Sequence, residues 1–164
     1  MAIVPYQPSH LDGFRSLVSE TLLEFGFAHD PELDADLTDP AATYAALWVA
    51  VDNGSVVGSV ALRDLGEGPV ELKRMYLRPQ QRGHGLGRQL LELALDWARG
   101  NGVRVVRLDT SERMVAAQHL YEAGRIPLRA RCRPHESDAR RHENEYPYRL
   151  AVAHLSRPLR SRTK

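Results

Sequence analysis

The sequence predicts an α+β fold, with a mixed, mostly antiparallel sheet of about seven strands and about four flanking helices. Three observations carry this. Three strand-like runs between residues 47 and 77 are joined by short turns, which makes a meander of antiparallel neighbours. The stretch from Val70 to Leu108 reads as strand, helix, strand, which implies one parallel crossover. Two runs, residues 11–25 and 86–97, repeat apolar residues at helical spacing.

The elements follow in order. Ala2 to Tyr6 is a short first strand. Ser9 is an N-cap candidate for a helix to Phe25, with Leu11, Phe14, Val18, Leu22 and Phe25 as its apolar stripe and Gly26 as its stop. Residues 29–43 are polar and acidic, and read as a loop or a short second helix. Leu47 to Val51 is a strand. Asn53-Gly54 forms the next turn, because both residues tolerate positive φ. Val56 to Leu65 and Val70 to Leu77 complete the meander across the turn at Gly66 to Pro69. A helix from Gly85 to Arg99 presents Leu86, Leu90, Leu93, Ala94 and Trp97, and ends at Gly100-Asn101-Gly102. Val103 to Leu108 is a valine-rich central strand. Ser111 caps a helix that runs to Ala123. Arg125 to Cys132 is a strand broken by Pro127, Pro134 to Asn144 is a polar loop, and Tyr146 to Leu155 is the last strand. Residues 1–155 read as a single domain, and 156–164 as a basic tail.

With 164 residues, 43% hydrophobic and 26% charged, the chain has an ordinary globular balance. It has no apolar run of membrane-spanning length, no signal-peptide pattern and one cysteine, so the expectation is a cytoplasmic protein without membrane association. The net charge of +1 hides an asymmetry: residues 1–64 carry ten acids and two bases, and the remainder is basic. Either folding mixes these charges, or they steer a phosphorylated ligand to one half and a cation to the other. No basic stripe carries interleaved aromatics, so nucleic acid is not an expected partner.

The segment Gln80-Gln81-Arg82-Gly83-His84-Gly85-Leu86-Gly87-Arg88 joins the third meander strand to its helix. Glycines let the backbone approach a ligand, and the free N–H groups of a first helical turn attract an anion. A Walker loop needs Gly-Lys-Ser/Thr, which is missing. A dinucleotide fingerprint needs glycine at 88, where Arg88 stands, and belongs in a first strand–helix unit.

Gln80-x-x-Gly83-x-Gly85 resembles the acyl-coenzyme-A loop of the GNAT superfamily of N-acetyltransferases. Glu71 to Pro79 is similar to the superfamily strand before that loop, Leu108-Asp109-Thr110 to the end of its fifth strand, and Ala117-x-x-Leu120-Tyr121-x-x-x-Gly124 to the helix after it. The resemblance implies a V-shaped splay between strands four and five. Pantetheine would lie in it along Met75, Tyr76 and Leu77. Pyrophosphate would rest on the amides of Arg82, Gly83, His84, Gly85, Leu86, Gly87 and Arg88, with Arg82 and Arg88 adding charge. Ser111, where many members have asparagine, joins the expected cofactor set. The co-substrate is acetyl-CoA, and no metal is expected.

The implied chemistry is direct acetyl transfer from a thioester to an amine. The amine must shed a proton first, since near pKa 10.4 little is neutral at pH 7. The leaving thiolate needs a proton or hydrogen bond, and the oxyanion needs a donor, often a strand-four amide. By resemblance, Tyr121 is the general acid. Glu71 is the candidate base or amine anchor, with a water chain as the alternative. Strand alternation would set Glu71, Lys73, Met75 and Leu77 on one face. His119 points elsewhere on its helix and reads as structural. Cys132, His135 and His142 match no zinc spacing.

The chain departs from the superfamily where Arg125 and Pro127 follow Gly124, which argues against a regular sixth strand. Asp30, Glu32, Asp34, Asp36 and Asp39 point to a small cationic amine acceptor, and Phe25, Phe27, Tyr44 and Trp48 offer aromatic surface or core. A protein or peptide acetyltransferase and a non-catalytic acyl-CoA sensor stay open as alternatives, and so does a homodimer.

Overall fold

Period-two alternation along the strands sorts apolar side chains onto two faces of one sheet, and each face acquires its own helices. The computed structural model describes residues 1–124, 126, 128–132 and 148–155. Seven strands, β1 Ala2–Pro5, β2 Ala46–Asp52, β3 Ser55–Asp64, β4 Val70–Leu77, β5 Val105–Ser111, β6 Leu128–Cys132 and β7 Tyr148–His154, form a single sheet in the order β1-β2-β3-β4-β5-β7-β6. Among the described residues only β4 and β5 are parallel neighbours; the other pairings are antiparallel. The helices are α1 Leu11–Glu24, α2 Pro40–Thr43, α3 Leu86–Gly100 and α4 Val115–Ala123. No helix among the described residues is long and apolar enough to cross a membrane.

The helix α1 packs Phe14, Leu17, Val18 and Leu22 with Leu47 and Val49 of β2 on one face. On the other, Trp48 and Ala50 of β2 join Leu90, Leu91, Ala94 and Leu95 of α3 and Tyr121 of α4. The buried stripe of α3 is turned from the expected one. Leu91, Leu95 and Ala98 are in the core, while Leu93 and Trp97 stand at its rim, where Trp97 meets the Trp48 ring edge-on at 6.2 Å.

Several boundaries differ from the sequence expectation. Ser9 does not cap α1. It lies in a 3-10 turn, Pro8–His10, and His10 holds the cap position. Residues 29–43 contain both a turn and the short α2, which Asp39 caps by accepting from the Ala42 N–H at 3.1 Å. Ser111 is not a helix cap either. The β7 ladder extends β5 through Asp109, Thr110 and Ser111, so cross-strand pairing overrides their polar character, and Met114 takes the cap position of α4. β6 does form, beginning after Pro127. Arg125, Pro127, the 134–144 loop with His135 and His142, and the 156–164 tail lie outside the described residues.

β4 contains the departure with most consequence. Ser59 pairs with Tyr76 and Ala61 with Lys73, so the single residue between them on β3 faces Arg74 and Met75. Arg74 takes a left-handed conformation, φ +49°, at this bulge. The alternation changes phase there. Val70 and Leu72 pack on the α3 face, and so do Met75 and Leu77. Glu71 therefore does not share a face with Met75 and Leu77.

Candidate active site

β4 and β5 pair only at Val70–Val106 and Glu71–Arg107. Beyond those two rungs the strands part, leaving a wedge whose ladder groups are open to a ligand. The chain leaves β4 through a 3-10 turn, Pro79–Gln81, and enters α3 over Gly83 and Gly85, both at positive φ (+80° and +84°). Nothing lies within 4 Å of where a Cβ would stand on either glycine. Gly85 occupies the cap position of α3 and no side chain caps that end, so the first-turn N–H groups face this open space. At Gly87 a Cβ would stand 3.2 Å from Leu120 of α4 and 3.4 Å from Leu77, so the helices approach closely here.

A cavity of about 430 Å³ runs along the wedge. Met75, Tyr76 and Leu77 line it from β4, Arg82, Gly83, Gly85, Gly87 and Arg88 from the glycine loop, and Leu120 and Tyr121 from α4. Four of the expected site residues fall outside its walls. His84 is exposed, and Leu86 is a core side chain. Ser111 is buried and serves the local backbone, its hydroxyl accepting from the Arg113 N–H and its carbonyl from Gln118 Nε2. Glu71 sits where β4 and β5 are still paired, with its carboxylate bound to Arg63 Nη2 at 2.6 Å.

Tyr121 is 4% exposed and lines the cavity, and its hydroxyl has no hydrogen-bond partner among the described residues. Burial, then Tyr76 and Asp109, push its phenol well above the ordinary tyrosine range, so it holds its proton. Arg88 is exposed at the loop. Arg82 is committed: it forks onto Glu24 at 2.5 and 2.6 Å and donates to the Leu77 carbonyl at 2.9 and 3.0 Å. Its bond lowers the Glu24 carboxyl below the usual range.

Sequence reasoning missed Thr21, and it weighed Phe25 as acceptor surface or core rather than as a cofactor-slot wall. Thr21 lies on the last turn of α1 and Phe25 just past its end, and both line the cavity. That turn bridges the two arms of the wedge. Arg82 holds Glu24 from the β4 side, and Arg113 donates to the Phe25 carbonyl at 2.7 Å from the β5 side. No local pattern marks Thr21, because its position depends on where α1 crosses the sheet.

The acidic first segment is largely engaged within the protein. Asp30 accepts from the Glu32 and Leu33 N–H groups, Asp39 caps α2, and Asp34 and Asp36 bind Arg74. Arg78 pairs with Glu20 as Arg82 does with Glu24. The acidic and basic halves of the sequence are thus mixed by folding, and the acidic run does not by itself mark a cation site. Trp48 and Tyr44 are core residues, and Phe27 packs against the α1 core.

Residues 12–125 match the model of the acetyltransferase (GNAT) family. The chain belongs to the GNAT family. This GNAT chain is 34% identical over 123 residues to an uncharacterised N-acetyltransferase of Schizosaccharomyces pombe, covering 71% of this chain and 76% of that one. It spans less than half the length of N-acetyltransferase family 8 member 2 from rat and of N-acetylaspartate synthetase from zebrafish, at 34% and 35% identity. A GNAT acetyltransferase structure from Staphylococcus aureus Mu50 superposes with a TM-score of 0.81 at 20% identity, covering 94% of this chain and 99% of that one. A Salmonella typhimurium acetyltransferase structure with its cofactor acetyl-CoA gives 0.75 at 20% identity, covering 97% and 96%. The fold of this GNAT N-acetyltransferase, with β4 and β5 parallel and then parted, is the fold of those structures.

Proposed function

We propose that this enzyme transfers an acetyl group from acetyl-CoA to a primary amine of a small molecule, by direct attack within a ternary complex. The observation that carries this is the wedge cavity, lined both by the open glycine loop and by Tyr121, which holds its proton. Acetyl-CoA supplies the activated thioester. The open space over Gly83 and Gly85, beside an uncapped helix N-terminus, fits its pyrophosphate. The parted edges of β4 around Met75, Tyr76 and Leu77 offer main-chain bonds to the pantetheine amides. Tyr121 donates its proton, or a hydrogen bond, to the departing sulfur. No carboxylate lines the cavity among the described residues, so we assign removal of the amine proton to water rather than to direct contact with Glu71.

The α1 turn, held to both arms of the wedge, supports a small acceptor, since it spans a slot that a protein acetyltransferase needs as an open groove. A panel of cationic, neutral and anionic amines, assayed with acetyl-CoA by thiol release and product mass, tests this. Turnover of a small primary amine with intersecting initial-rate lines is expected. Parallel lines, or turnover of lysine-bearing peptides alone, would overturn it.

Arg88 is the phosphate partner with its charge open to solvent. The substitution Arg88→Ala is expected to weaken acetyl-CoA binding about tenfold, the size of one lost charge-assisted bond. The loss should shrink as salt rises, measurable by calorimetry at two ionic strengths.

A further inference from the structure

The proposed reaction makes no use of the buried ion-pair cluster around Arg74. Arg74 is 6% exposed. Its Nη2 meets Asp34 Oδ1 at 2.8 Å and Asp36 Oδ1 at 2.5 Å, and its Nε meets Asp36 Oδ2 at 2.8 Å. The Tyr44 hydroxyl donates to Asp36 at 2.5 Å, and the Asp30 N–H to Asp34 at 2.9 Å. Arg74 is also the one residue of β4 in the left-handed region, φ +49°, and its carbonyl accepts from the buried Ser59 hydroxyl at 2.6 Å. A non-glycine residue keeps that conformation only where its surroundings hold it. Here the fork of charged bonds ties the side chain to residues 30–44, and the serine ties the main chain to β3.

We infer that Arg74 is a positioning residue: clasped by Asp34 and Asp36, it locks the bulge that turns Met75 and Leu77 toward the cavity and sets the β4 main chain at the thioester end. The geometry assigns the action to the main chain of Met75 to Leu77, which begins at the bulge and lines the slot. Without the bulge, unbroken alternation would send Met75 and Leu77 to the α1 face. The clasp also gives the buried Arg74 guanidinium its partners, the buried Asp34 and the half-buried Asp36. Burial works against the Asp36 charge, and the Arg74 and Tyr44 bonds outweigh it, holding that carboxyl below its usual range.

This inference rests on the wedge being the acyl-CoA slot, so the test separates the two. Acetyl-CoA binding to the unmodified enzyme is measured first by calorimetry, and failure there rejects the slot and not the clasp. Arg74→Lys keeps the charge and loses the fork, and Asp36→Asn keeps the shape. Both are expected to lower kcat more than tenfold, with the loss in acetyl-CoA affinity smaller than the loss in kcat, because the pyrophosphate end is untouched. Val18→Ala, in the α1 core and without a bond to Arg74, Asp34 or Asp36, serves as a control for stability loss, and its kcat should stay within about twofold. In an Asp34→Asn/Asp36→Asn background, which removes the buried negative charge, Arg74→Gly should retain several-fold more kcat than Arg74→Ala, since glycine accepts positive φ. Equal kcat for the glycine and alanine forms, or a kcat in Arg74→Lys and Asp36→Asn no lower than in Val18→Ala, would overturn the assignment.

Discussion

Replacing Tyr121 with phenylalanine is expected to lower kcat by about 100-fold or more, the usual contribution of a positioned general acid. Acetyl-CoA affinity should stay within about threefold, because the ring keeps its packing among the core residues around α4. The hydroxyl has no hydrogen-bond partner among the described residues, so its removal leaves no orphaned partner behind. The sign of the pH effect follows from the burial. A phenol raised above its ordinary value of 10.0 stays protonated through the working range, so rates should not fall on the alkaline side from its ionisation below pH 10. A Tyr121→Phe enzyme with unchanged kcat would remove tyrosine from the chemistry and leave thiolate release to water. A lower kcat accompanied by a large rise in acetyl-CoA Kd would instead mark Tyr121 as a packing residue. Single-turnover rates at saturating acetyl-CoA, compared with binding measured separately, distinguish these outcomes.

The fold was legible from the chain because its signals are local. Asn53-Gly54 fixes a hairpin, Gly85 marks where α3 begins, and the apolar runs of β2 and β3 alternate cleanly between two cores. The glycine loop stood out as a local pattern and Tyr121 through the resemblance of Ala117-x-x-Leu120-Tyr121-x-x-x-Gly124 to the superfamily helix, and both line the cavity. What escaped depends on long-range contact. Alternation predicts Glu71 beside Met75, and a bulge held by residues 30–44 shifts the phase between them. The acidic residues read as a cation site, although Asp34 and Asp36 have a guanidinium partner some 40 positions away in the sequence. Ser111 read as a cap because its composition fits one, and the β7 ladder claims it. Arg82 read as a phosphate ligand, and its fork onto Glu24 comes from the crossing of α1 over the loop.

The valine substitution at Gly85 is expected to weaken acetyl-CoA binding about 100-fold or more, a larger loss than removing any single loop charge. Obstruction weakens the binding, and strain adds a loss of stability. A β-branched residue at φ +84° is strained whatever space surrounds it, at a cost of about 1–3 kcal/mol. Its side chain also enters the open space that the pyrophosphate requires, which displaces the anion from the first-turn amides. Losing two such bonds at about 1.5–3 kcal/mol each accounts for the factor. Strain alone is separable from obstruction, because Gly54 has nearly the same conformation, φ +79°, with nothing within 4 Å, in a hairpin remote from the cavity. Gly54→Val should therefore lower the melting temperature about as much as Gly85→Val while leaving acetyl-CoA affinity unchanged. Parallel thermal melts and calorimetric titrations of the two variants read both quantities. If Gly85→Val binds acetyl-CoA as Gly54→Val does, the glycine loop has a conformational role only, and the anion cradle must be sought elsewhere on the wedge.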